Sequence, residues 1–156
     1  MKKQLNLEPD FLDFIKLCNQ YKVKYLVIGG FAVSVHGYPR STKDMDVSIE
    51  LEDDNANKMV QVIHEFGFAS LRLTKDDFTK PDFITQLGHE PVRIDILNDL
   101  DGVTFEEAWN NKKVVVMFGE PVNFIGYNDL LKVKAKAGRP QDLADIDKLV
   151  KRNKKK

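Results

Sequence analysis

The run Asp44-Met45-Asp46-Val47-Ser48-Ile49-Glu50-Leu51 alternates without a break. Met45, Val47, Ile49 and Leu51 fall on one side of an extended backbone, and Asp44, Asp46, Ser48 and Glu50 on the other. Successive strand residues point to opposite faces, so this is the pattern of a half-buried strand. It restricts the chain to folds in which a sheet rests on an apolar core and presents acids on its other face. Asp44 and Asp46 share the acidic face, ~6.5–7 Å apart along the chain. Two carboxylates so spaced bracket one hard cation or hold two side by side. Mg²⁺ prefers such oxygens and keeps places for water and phosphate, and paired cations recur in phosphoryl and nucleotidyl transfer. The plain alternative is two acids on a solvent face.

The neighbouring segments read as helices and short strands. Phe11, Phe14, Ile15 and Cys18 recur at i, i+3, i+4 and i+7, one face of a helix. Tyr25-Leu26-Val27-Ile28 is a buried strand that stops at Gly29-Gly30. A short helix over 31–36 is closed by Gly37. Asp53 and Asp54 offer N-caps to a helix buried through Ala56, Met59, Val60 and Ile63 and ended by Gly67. Residues 70–82 are charged and irregular. Phe83–Leu87 and Val92–Leu97 read as strands joined by Gly88-His89-Glu90-Pro91. Thr104 caps a helix through Trp109, and Val114–Met117 and Val122–Ile125 form a hairpin about Gly119-Glu120. Two helices finish the chain, from Asn128 to Ala137 and from Pro140 onward, the latter with a stripe of Leu143, Ile146, Leu149 and Val150. The order predicts a mixed α/β (α+β) fold: a small mixed central sheet flanked by helices, with C-terminal helices. It is read as one domain over 1–156, with a core over 23–126 and a helical segment over 127–152.

Other residues bear on the same chemistry. On the second of the later strands, Val92, Ile94 and Ile96 share one face and Arg93, Asp95 and Leu97 the other. If this strand neighbours the Asp44 strand, Asp95 brings a third carboxylate, able to bind metal and to take a proton from a hydroxyl; otherwise it is a partner for Arg93 or a lone exposed acid. Gly29-Gly30 permits close approach of a phosphate to the backbone, or is a tight turn. In the loop Gly37–Thr42, Arg40 and the hydroxyls of Ser41 and Thr42 suit phosphate or an ordinary polar turn. Lys134 interrupts an apolar stripe of Leu130, Val133 and Ala137, so it either snorkels outward or meets a negative charge in a cleft. Arg139, Asp142 and Asp145 follow as candidates for a polar network at the turn between the last two helices. His36, His64 and His89 have no metal-ligand spacing.

Charge and composition narrow the setting. Lys plus Arg and Asp plus Glu each total 24, so no global basic bias supports nucleic-acid binding. With one cysteine, Cys18, no intramolecular disulfide forms. Met1-Lys2-Lys3 leads into polar sequence, not an apolar signal segment, and no run reaches the ~20 apolar residues that span a bilayer. The expectation is a cytoplasmic protein with no membrane contact.

Together these residues resemble the DNA polymerase β-like nucleotidyltransferases. Their pattern is an apolar strand, Gly-Gly or Gly-Ser, a spacer, and Asp-x-Asp on a strand; here 13 residues separate Gly30 from Asp44. The variant H-G-x-x-R-x-T-x-D-x-D, over His36–Asp46, and the ending around Asp129, Lys134, Arg139, Asp142 and Asp145 are similar to small prokaryotic members related to abortive-infection and toxin–antitoxin systems. The resemblance implies Asp44, Asp46 and Asp95 as catalytic ligands of Mg²⁺, with Mn²⁺ as a substitute. It implies a nucleoside triphosphate held by Gly29, Gly30, Arg40, Thr42, Lys134 and Arg139, and transfer to a hydroxyl on RNA, protein or a small molecule. The alternative it implies is a weak or inactive component of a two-protein system. The chain departs from the pattern at Gly30, where many members carry a phosphate-touching Ser, so backbone N–H groups would take over. Larger relatives add a domain that chooses the acceptor, so a homodimer or partner protein would complete this shorter chain.

Overall fold

The computed structural model describes residues 8–89 and 92–154. Glu90 and Pro91, in the expected turn between two strands, lie outside the described residues. Helix α1 (Pro9–Gln20) buries Phe11, Phe14, Ile15 and Cys18, as their spacing requires. Burial pushes the Cys18 thiol up, away from reactive thiolate. Strand β1 (Tyr25–Ile28) is buried throughout. Helix α2 (Gly29–Val35) begins two residues before the expected 31, because Gly29, at φ 72°, turns the chain straight out of the strand.

Strand β2 (Asp44–Ile49) keeps the predicted alternation through Val47, with Ser48 also buried. In α3 (Asp53–Ile63) the N-cap is Glu52, whereas Asp53 and Asp54 lie in the first turn, where the helix dipole favours them. Its buried face is Asn55, Ala56, Met59, Val62 and Ile63, so Val62 takes the place expected of Val60, which is half-buried. Asn55 is polar in that stripe for a reason. Its amide bonds Lys24 N at 2.7 Å, Lys24 O at 3.1 Å and Glu50 O at 2.9 Å, clipping the ends of β1 and β2 together. The charged stretch after α3 is partly ordered by short turns. Thr74 and Asp77 cap one another at the turn Lys75–Phe78, which drives Phe78 into the core.

The remaining elements are β3 (Ile84–His89), β4 (Val92–Leu97), α4 (Phe105–Asn110), β5 (Lys113–Met117), β6 (Glu120–Phe124), α5 (Tyr127–Ala137) and α6 (Pro140–Lys154). Strand β3 runs on through Gly88 and His89, further than the expected end at Leu87. The six strands form one mixed sheet, in the order β3-β4-β2-β1-β6-β5. Pairs β1–β2, β3–β4 and β5–β6 are antiparallel; β2–β4 and β1–β6 are parallel. Met45, Val47, Ile49, Ile94 and Ile96 join α1 and α3 in one apolar core. The acids therefore face the other way.

Helix α6 departs from its expected stripe. Leu143 is 55% exposed, and the buried residues are Asp142, Asp145 and Leu149. The apolar pattern fails because cations from other elements meet the two aspartates. Among the described residues no helix is long and apolar enough to cross a membrane.

Candidate active site

Strands β2 and β4 lie side by side and parallel, with Asp46 opposite Asp95 and Asp44 opposite Arg93. An oxygen from each of Asp44, Asp46 and Asp95 lies within 4.8 Å of the others. The strand register thus produces the convergence that sequence alone left conditional. Asp95 is 8% exposed, and Asp44 and Asp46 are half-buried. Burial, followed by the charges of Asp44 and Asp95 and a hydrogen bond with Asp44, raises Asp46 to about 7; Arg93 opposes this in part.

Arg93 is the residue the sequence reading underused. Its Nε bonds Asp95 Oδ1 at 2.9 Å, and its Nη2 reaches Asp95 Oδ2 at 3.1 Å and Asp44 Oδ2 at 3.2 Å. The signal was present: Arg93 and Asp95 are two apart on a strand and share a face.

The glycines sit against this cluster. A Cβ on Gly29 would lie 2.4 Å from Asp46 Oδ2, so only glycine lets α2 start beside that carboxylate. A Cβ on Gly30 would lie 3.0 Å from Thr42 Cβ and 3.1 Å from Thr42 Oγ1. Thr42 therefore fills the space a larger residue at position 30 would claim, and its hydroxyl donates to Asp44 O at 3.0 Å.

Lys134 is 6% exposed and does not snorkel. Its Nζ pairs with Asp142 Oδ1 at 3.3 Å and Asp145 Oδ2 at 3.0 Å. Asp145 also receives Arg40 Nη1 at 2.5 Å, which ties the loop before β2 to α6. Arg139 bonds Asp142 through Nε at 2.6 Å and Nη2 at 3.2 Å, while its side chain stays 74% exposed. A cleft of about 200 Å³ lies between the sheet and α5: Asp46, Gly29 and Leu97 line it from the sheet side, Leu130, Val133 and Lys134 from α5, and Arg139 from the turn beyond. His36 lies outside the cluster and bonds Ile125 O at 2.6 Å, as a structural histidine would.

A pKa raised toward neutrality would make any cation binding at Asp46 pH-dependent, because a carboxylate ligand must lose its proton. Asp46 is protonated in the folded protein below about 7, so if it is a ligand, affinity for a divalent cation such as Mg²⁺ falls as pH drops through that value. The increase in Tm on adding Mg²⁺ is expected to be larger at pH 8 than at pH 6. Thermal melts with and without the ion at both pH values check this; equal increments would show that Asp46 is not a ligand.

Solved structures share the fold. The architecture is nucleotidyltransferase-like: a crystal structure of a Thermotoga maritima protein provisionally assigned as a nucleotidyltransferase superposes with TM-score 0.61 at 14% identity, over 94% of this chain and 96% of that one. An antigenic nucleotidyltransferase-like protein from Paracoccidioides brasiliensis gives 0.55 at 14% identity, over 90% and 74%. At such identities the likeness is one of fold. The family follows from sequence: residues 9–156 match the family described as "Nucleotidyl transferase of unknown function (DUF2204)", and the chain belongs to it. No curated protein matches the chain.

Proposed function

We propose that the chain transfers a nucleoside monophosphate from a nucleoside triphosphate to a hydroxyl on RNA, protein or a small molecule. Asp44, Asp46 and Asp95 are the proposed ligands of divalent cation, Mg²⁺ or Mn²⁺. The convergence of these three carboxylates carries the reading. The donor set fits the ion: hard anionic oxygens are what Mg²⁺ prefers, and the upward shift of Asp46 marks a place where added positive charge is favourable. When bound, the ion offsets charge on the triphosphate and on the departing pyrophosphate.

In this reaction the acceptor oxygen bonds to the α-phosphorus, the bond from that phosphorus to the bridging oxygen breaks, and pyrophosphate leaves. The hydroxyl proton passes to a carboxylate, a role assigned to Asp95. Gly29 and Gly30 allow the phosphates close to the backbone. Arg139, exposed at the rim of the cleft, suits a phosphate through its planar fork. Lys134 acts through Asp142 and Asp145, which in turn hold Arg139 and Arg40. Thr42 braces the loop through Asp44 O. The apolar wall of Leu97, Leu130 and Val133 suits a base.

Calorimetric titration of the four nucleoside triphosphates with Mg²⁺, on the wild type and on Asp44→Ala/Asp46→Ala, tests the proposal. Metal-dependent binding of a nucleotide that disappears in the double variant is the expected result. Binding of no nucleotide by the wild type would overturn it in favour of a fold that works through a protein partner.

A further inference from the structure

The acids of the site already hold a cation of their own. Arg93 stands on β4, directly opposite Asp44 in register and two residues before Asp95, so all three share one face. Its guanidinium takes both oxygens of Asp95 and one of Asp44, at 2.9, 3.1 and 3.2 Å. This is the two-pronged geometry in which Arg binds carboxylates most strongly. These two carboxylates belong to the same cluster that the proposed function assigns to a divalent cation. A guanidinium and a metal ion cannot both sit close to them without strong like-charge repulsion.

We propose that Arg93 is an internal counter-cation, competing with the divalent metal for Asp44 and Asp95, so that the metal enters by displacing its guanidinium. The proposal rests on the reading of Asp44, Asp46 and Asp95 as metal ligands. Two features suit Arg93 to the exchange. Its side chain is 27% exposed, so the guanidinium can move toward solvent on a flexible stem. And its fork neutralises and aligns two of three mutually repelling acids, keeping them together until the ion arrives. Exchange passes Asp95 from the guanidinium to the ion, so the same carboxylate oxygens serve each cation in turn. The same arginine thus stabilises the site and weakens its metal affinity.

The opposite arrangement gives the opposite sign. If Arg93 stayed in place as a fixed support for the ligands, removing it would disorder them and weaken metal binding. Calorimetric titration with Mn²⁺ alone, on the wild type, Arg93→Gln and Arg93→Lys, separates the two. Melting in EDTA and then in Mn²⁺ supplies a second readout. Arg93→Gln is expected to bind Mn²⁺ at least about tenfold more tightly, the equivalent of one lost charge-assisted hydrogen bond. It is expected to melt lower than the wild type in EDTA, and to gain more from Mn²⁺. Arg93→Lys keeps the charge without the fork, is the safer variant to fold, and is expected to fall between. Mn²⁺ affinity unchanged or weaker in both variants would overturn the proposal. If the wild type binds Mn²⁺ and Asp46→Asn does not, that failure leaves the metal-ligand reading standing. If neither the wild type nor any Arg93 variant binds the ion, both readings fall together.

Discussion

Asp46→Asn is expected to abolish the nucleotide transfer proposed for this site while making the metal-free protein more stable. Removing a partner one layer outside a metal site costs about 10–100-fold, so losing a ligand costs at least about a hundredfold. The stability change follows from linkage. Asp46 is raised from 3.8 to about 7 in the folded protein, so the folded state binds more protons than the unfolded state between those values. Stability therefore falls as pH rises through that window, and above it the ionised carboxylate is a full burden. Asn keeps the shape and removes the charge. The variant should melt higher than wild type at pH 8 in EDTA, with each kcal/mol gained worth about 2–4 °C, and should melt near wild type at pH 4. Activity assays with thermal melts at both pH values check this. A lower Tm at pH 8 would mean Asp46 is a structural acid rather than one held in place for a cation.

Lys134→Met should produce the largest loss of stability. Its ammonium lies between Asp142 and Asp145, whose side chains are 2% and 1% exposed. Breaking a buried ion pair by deleting one partner typically costs about 3–5 kcal/mol, because the other charge is left uncompensated. Arg40 still meets Asp145 and Arg139 still meets Asp142, which places the expected loss at the lower end, about 3 kcal/mol. Denaturant unfolding measures it. Adding Asp142→Asn should recover part of the loss, since it removes one of the two buried carboxylates that Lys134 no longer offsets, while Arg139, largely exposed, can turn to solvent. A loss below about 1 kcal/mol, with no recovery in the double variant, would mean that Lys134 is not part of the frame.

Much of this was legible from local pattern. The helix period placed Phe11, Phe14, Ile15 and Cys18 on one buried face, and the strand period put Asp44 and Asp46 together, opposite Met45 and Val47. The glycines after β1 and the three acids could be picked out because each depends on backbone geometry over a few residues. Where the pattern misled, the cause was a contact from elsewhere in the chain. Leu143 belongs to a plausible apolar stripe yet is exposed, while Asp142 and Asp145 are buried because Lys134 from α5 and Arg40 from the loop before β2 meet them there. Val62 displaced Val60 for a similar reason: α3 is rotated so that Asn55 clips Lys24 and Glu50.

The sequence by itself determined which residues are acidic, which face of each strand they occupy, and that a sheet must separate them from the core. Only the tertiary structure decided that β2 lies parallel to β4 with Asp46 opposite Asp95, and that Arg93 bridges two of the three acids. The physical reason is range. Side-chain alternation is set within one strand, whereas register between strands far apart in the chain depends on the whole apolar face packing at once, and a shift of one residue would turn every acid into the core.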